Sequence, residues 1–187
     1  NEFFYLNKPI SMNNWYYSCK YYTANEIFRV LILHVLGLDE NNSFFYWGDK
    51  SPSYIDNIEI IKQIYPNAKL INIIRDVRDN VLSINKAWGK NIYRAAHKWN
   101  NSLSSFSMYS QKYSNDIYIL RYEDLTANPH IELDNLFRFL NLDLKYNSKD
   151  RIDFSESVGD AKDVNRILEN NSGKYLKLLP SKKIQKI

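Results

Sequence analysis

Lys69-Leu70-Ile71-Asn72-Ile73-Ile74 runs without a break into Arg75-Asp76-Val77-Arg78-Asp79, and this junction decides the fold. The first half is nearly all apolar and rich in β-branched side chains, the pattern of a strand covered on both faces of a parallel sheet. The second half is a charged pentapeptide that opens a helical pattern reaching Trp88. Moving outward toward the C-terminus, a second helix is expected from about Ile92 to Tyr113. Asp116-Ile117-Tyr118-Ile119-Leu120 then reads as another buried-type strand, ending in Arg121-Tyr122-Glu123-Asp124-Leu125. Pro129 suits the first turn of a helix continuing to Leu140. Strand, helix, helix, strand, helix in this order requires parallel pairing with crossover helices, hence an α/β layered fold. Ligands of such sheets bind beyond the carboxyl ends of the strands, where both charged segments lie.

Toward the N-terminus, Ala24 to Leu38 carries apolar side chains at Ile27, Val30, Leu31, Val35 and Leu38, the spacing of an amphipathic helix. Thr23 with Glu26 three residues on matches a capping box, and Gly37 marks the end. Phe44-Phe45-Tyr46-Trp47 before Gly48 predicts a short buried strand. A helix is expected over Tyr54 to Tyr65, closed by Pro66.

The chain has 187 residues, 44% hydrophobic and 25% charged, a globular composition sized for one domain spanning residues 1–187. No Ser/Gly-rich linker or repeat divides it. No run approaches the roughly 18 to 20 apolar residues of a membrane span. The net charge of +4 allows an anionic ligand, while the absence of a Lys/Arg block argues against a nucleic-acid partner. A single cysteine, Cys19, excludes an internal disulfide, and three scattered histidines leave no metal-site pattern. The cysteine count suits the cytoplasm, with a secretory lumen as the alternative.

Chemistry concentrates at Arg75 and Ser83. An arginine at a strand end can grip a phosphate through two charge-assisted hydrogen bonds, and the helix N-terminus behind it adds free amides and a positive dipole. Ser83, two turns into that helix, can add a hydroxyl. The competing interpretation makes Arg75, Asp76, Arg78 and Asp79 a solvated salt-bridge cluster with Asp76 as helix cap.

The company of these residues favours the anion site. Trp47-Gly48-Asp49-Lys50-Ser51-Pro52-Ser53-Tyr54, the Arg75-Asp76-Val77-Arg78-Asp79 segment with Ser83, Ala95-Ala96-His97-Lys98-Trp99, and Leu120-Arg121-Tyr122-Glu123-Asp124-Leu125 through Pro129 together resemble the sulfotransferase family. In particular the pattern looks like the branch that includes tyrosylprotein sulfotransferases and many bacterial sulfotransferases. The resemblance spans roughly Trp47 to Leu142, with a weaker echo at Ser172-Gly173-Lys174-Tyr175. It implies a P-loop-like fold with a central parallel sheet flanked by helices, and 3′-phosphoadenosine-5′-phosphosulfate as sulfuryl donor. It further implies that Arg75 and Ser83 hold the donor's 3′-phosphate, that Tyr122 lies near the adenine, and that Lys174 contacts the donor. Lys50 is implied as the catalytic lysine beside the transferring group and the leaving phosphate. By analogy with phosphoryl transfer, positioning and charge stabilisation would supply most of the acceleration, with no metal required.

Two features depart from the family's pattern. The glycine-rich loop that cradles the 5′-phosphosulfate lies upstream of everything matched, and Gly37, Gly48, Gly89, Gly159 and Gly173 stand alone. The chain also starts at Asn1 without methionine, so the domain is expected to be N-terminally truncated and the 187 residues alone to transfer little. Pro52 occupies the position where small-molecule sulfotransferases have a histidine base. Glu2, Glu26 and His97 offer no distinguishing feature, which leaves the base unassigned. The resemblance implies a hydroxyl acceptor, whether carbohydrate, lipid, small alcohol or tyrosine. Trp15, Tyr16, Tyr17, Tyr21 and Tyr22 could line its pocket by ring stacking, or pack in the core. Two competing functions remain: a degenerate, non-catalytic nucleotide-binding or interaction module, and a P-loop kinase.

Overall fold

Two apolar runs of equal length satisfy their backbone hydrogen bonds most simply by pairing. In the computed structural model, which describes residue 17 and residues 23–36, 48–144, 167–168 and 171–187, β1 (Leu70–Ile74) and β2 (Ile117–Arg121) pair in parallel, from Leu70↔Ile117 to Ile74↔Arg121. The register is tied at the N-terminal end. There Lys69 Nζ donates to the Asn115 carbonyl at 3.0 Å and to the Asp116 carboxylate at 2.9 Å. The expected phenylalanine-rich strand at Phe44–Trp47 lies outside the described residues.

The chain divides into two compact units, Asn1–Asn67 and Ala68–Ile187. In the second, the crossover between the strands is made by α3 (Val77–Trp88) and α4 (Ile92–Lys112), after which follow α5 (Tyr122–Ala127), α6 (Pro129–Phe139), α7 (Tyr175–Leu178) and α8 (Ser181–Ile184). Asp76 begins α3, its carboxylate accepting from the Arg78 N–H at 2.8 Å. Gly89 ends the helix in the left-handed region at φ 64°, which glycine adopts without strain. Asn91 caps α4 by accepting from Tyr93 and Arg94 N–H. Buried side chains come from every layer: Val81 on α3, Ala96 and Phe106 on α4, Ile117 and Leu120 on β2, and Leu136 on α6. Truncating a core leucine such as Leu120 to alanine costs about 2–5 kcal/mol.

One expectation for this unit is corrected. β1 is not covered on both faces: Ile71 and Ile73 are 42% and 57% exposed. A run of isoleucines reports what a strand can tolerate around it, whereas burial is supplied by neighbouring layers that the strand itself does not specify.

In the first unit, α1 (Ala24–Leu36) starts as expected, with the Glu26 N–H donating to the Thr23 hydroxyl at 3.2 Å. The helix expected over Tyr54 to Tyr65 is instead a 3-10 turn at Pro52–Asp56 followed by α2 (Ile58–Ile64). Asn57 breaks it. Its side-chain amide donates to the Ser53 carbonyl at 2.9 Å and its N–H to the Tyr54 carbonyl at 3.0 Å, and such local bonding by asparagine competes with helix continuation.

Candidate functional site

The C-terminal ends of β1 and β2 bring Arg75 and Tyr122 together, because the register places Ile74 beside Arg121 and each strand is followed at once by the next residue of interest. The Arg75 guanidinium carbon stands 4.4 Å from the centre of the Tyr122 ring, a cation–π contact worth about 0.5–2 kcal/mol. One terminal nitrogen of Arg75 donates to the Asn171 carbonyl at 3.3 Å, and the Asn171 amide donates to the Tyr122 hydroxyl at 2.7 Å. The Arg75 Nε is buried and has no hydrogen-bond partner among the described residues. An unsatisfied buried donor costs about 1–3 kcal/mol, which an oxygen-rich anion at this point would offset.

The turn after Arg75 carries two aspartates with different work. Asp76 caps α3 and takes a two-pronged contact from Arg78, at 2.9 Å from Nε and 2.5 Å from a terminal nitrogen. The Arg78 hydrogen bond holds the Asp76 carboxyl below its usual range, and the same contact raises the Arg78 guanidinium further above its own. Asp76 also donates its backbone N–H to Glu123 at 2.9 Å, which links the starts of α3 and α5. Asp79 is 2% exposed, and its carboxylate accepts the Gly173 N–H at 2.5 Å and the Tyr175 N–H at 2.9 Å. The 171–175 strap is thereby fastened to the first turn of α3, and the Tyr175 ring lies 3.8 Å from the Arg78 guanidinium carbon. Gly173 sits at φ 71°, a left-handed turn that suits glycine.

The salt-bridge cluster is therefore real in part: Asp76 and Arg78 pair, whereas Arg75 and Asp79 face the strap. Lys174 is a half-buried member of that strap. Ser83 is exposed on α3, one turn beyond Asp79 and on the same side of the helix by the i, i+4 rule. Lys50 belongs to the first unit and is exposed. Its neighbour Asp49 accepts from the Tyr54 hydroxyl, a bond that pushes the Tyr54 phenol up to about 12. His97 is exposed on α4 and meets Asn101 at 3.3 Å. The Glu26 carboxylate is engaged by Arg29 at 2.9 Å. Of the aromatic residues considered for the acceptor, Tyr17 is exposed, and Trp15, Tyr16, Tyr21 and Tyr22 lie outside the described residues, as does Glu2.

With an arginine half-buried at the end of a parallel strand and a capped helix behind it, one comparison becomes decisive. A model of the sulfotransferase family matches residues 11–146, well over half of the chain. The chain belongs to the sulfotransferase family. The α/β arrangement with parallel strands and crossover helices agrees with that membership. No curated protein matches the chain. Lys50, Arg75, Ser83 and Tyr122 fall inside the matched region, and Lys174 falls beyond it.

Asp79, Glu123 and Asn171 join this strand-end cluster although the sequence reading gave none of them a site role. Asp79 carried one usable signal, since it stands one helical turn before Ser83 in a segment already singled out. Its partners are 94 and 96 residues away, a pairing that no local pattern encodes.

Proposed function

We propose that the chain transfers a sulfuryl group from 3′-phosphoadenosine-5′-phosphosulfate to a hydroxyl acceptor, with Arg75, Ser83, Tyr122 and Lys174 at the donor and Lys50 at the transferring group. The observation that carries this reading is Arg75: a guanidinium held over Tyr122, its Nε–H buried and without a hydrogen-bond partner among the described residues. A 3′-phosphate offers several acceptor oxygens in a geometry that suits such a fork. The start of α3 contributes its positive end to the same region, and Ser83 is exposed two turns into that helix, where the resemblance assigns it a part in holding the phosphate. Family membership supports sulfuryl transfer in general.

The donor supplies the sulfuryl group, whose bond to the phosphate oxygen breaks as its bond to the acceptor oxygen forms, while the acceptor hydroxyl's proton is released to solvent. For the chain's own residues, Arg75 binds and orients, and Lys50 stabilises negative charge on the departing phosphate, an effect on the order of a few kcal/mol. The acceptor class follows from chemistry that the family shares: a carbohydrate, lipid, small alcohol or tyrosine hydroxyl.

Calorimetric titration with 3′-phosphoadenosine 5′-phosphate tests this reading. Saturable binding that weakens in Arg75→Ala and in Ser83→Ala is expected. No binding, or binding that both variants leave unchanged, contradicts it, and selective binding of magnesium-ATP instead would favour a kinase.

A further inference from the structure

We propose that Asp79 is a positioning residue for the anion site: it fastens the 171–175 strap to α3 and thereby sets how Arg75 and Tyr122 meet the donor's 3′-phosphate. The inference rests on the donor reading above and deepens it. A carboxylate that is 2% exposed loses most of its hydration, and it is retained only where good hydrogen bonds compensate. Here the compensation comes from the strap. Each carboxylate oxygen takes one backbone N–H, Gly173 at 2.5 Å and Tyr175 at 2.9 Å, both charge-assisted bonds of the stronger kind.

The connection onward is short. Two residues before Gly173, Asn171 engages the site twice, its backbone carbonyl accepting from Arg75 and its side-chain amide donating to the Tyr122 hydroxyl. Asp79 therefore acts on the guanidinium and the ring through a single loop whose turn is set by Gly173 at φ 71°. Arg78 against the Tyr175 ring is a second fastening on the far side of the same turn. Because the Asp79 charge is directed at two strap amides, a buried carboxylate can sit beside an anion site without facing the anion.

The test uses the full chain and two probes, 3′-phosphoadenosine 5′-phosphate and adenosine 5′-phosphate, which differ only in the 3′-phosphate. Asp79→Asn keeps the size of the side chain but turns an amide N–H₂ toward one of the strap donors. Its affinity for 3′-phosphoadenosine 5′-phosphate is expected to fall about tenfold, with a change under about twofold for adenosine 5′-phosphate. Hydrogen exchange at the Gly173 and Tyr175 amides should quicken in the same variant. Gly173→Ala, which leaves the carboxylate intact and strains the turn, is expected to give the same selective loss. Equal weakening of both nucleotides in the two variants, or unchanged binding with the amides freed, overturns the positioning role. If the unsubstituted chain binds neither nucleotide, the donor reading itself fails, and the positioning role fails with it. That outcome is recognisable without any variant.

Discussion

β1 and β2 end alike in sequence, each delivering an arginine to the same edge of the sheet and passing at once into a helix, yet the two ends do different things. Arg75, one residue past β1, lies over Tyr122 and against the strap, with a buried Nε–H that finds no partner among the described residues. Arg121, the last residue of β2, has 66% of its side chain exposed and, among the described residues, pairs with Asp124 at 3.8 Å, the kind of surface contact worth little. The helices that follow differ in the same sense. α3 has a side-chain cap and a left-handed glycine stop, while α5 has six residues and no side-chain cap. Neighbouring elements remove water from one strand-end arginine and fix its plane, and leave the other to solvent.

The largest expected effect breaks this contrast directly. Arg75→Ala should lower affinity for 3′-phosphoadenosine 5′-phosphate by about 10- to 100-fold, and Arg121→Ala by less than about twofold, read by calorimetry. Next comes the ring that holds Arg75: Tyr122→Leu removes the cation–π contact and the Asn171 hydrogen bond together, and should weaken the same binding about tenfold. Tyr122→Phe keeps the ring and should lose less. The helix starts provide a stability comparison. Asp76→Ala should cost about 1 kcal/mol in urea unfolding through the lost cap, against about 0.5 kcal/mol or less for Arg121→Ala.

The smallest effect concerns pH. The Asp76 carboxyl is lowered from its ordinary value of 3.8 by Arg78, so its ionised form stabilises the fold. That stability is complete above the ordinary value and is lost as pH falls through the lowered one. The stability gap between the unsubstituted chain and Asp76→Asn should therefore be larger at about pH 7 than at about pH 3. A gap independent of pH would mean that the Arg78 contact contributes nothing to folding.

Much of the fold around these two strand ends was legible in the sequence, while the contrast between them was not, for physical reasons. The β1, α3, α4 and β2 segments announce themselves through apolar periodicity, and Asp76 through its place before a helix, because these are local signals. The position of Arg75 at a strand's carboxyl end followed from the same local reading. What separates it from Arg121 did not follow, since the strap is brought in from 96 residues away. α7 and α8, with four residues each, are too short to show a helical period. The break at Asn57 depends on two side-chain and backbone bonds that outweighed the apolar spacing. Asp79 looked like one more charge in a polar run, and only its burial shows that it faces inward.

The Nε–H of each arginine offers the most direct test. On titrating the labelled chain with 3′-phosphoadenosine 5′-phosphate and observing the arginine Nε–H resonances, the buried, unpartnered donor of Arg75 should shift saturably as it gains an acceptor, while Arg121 stays in place. Equal shifts at both arginines, or a bound nucleotide that leaves Arg75 unmoved, would contradict the account.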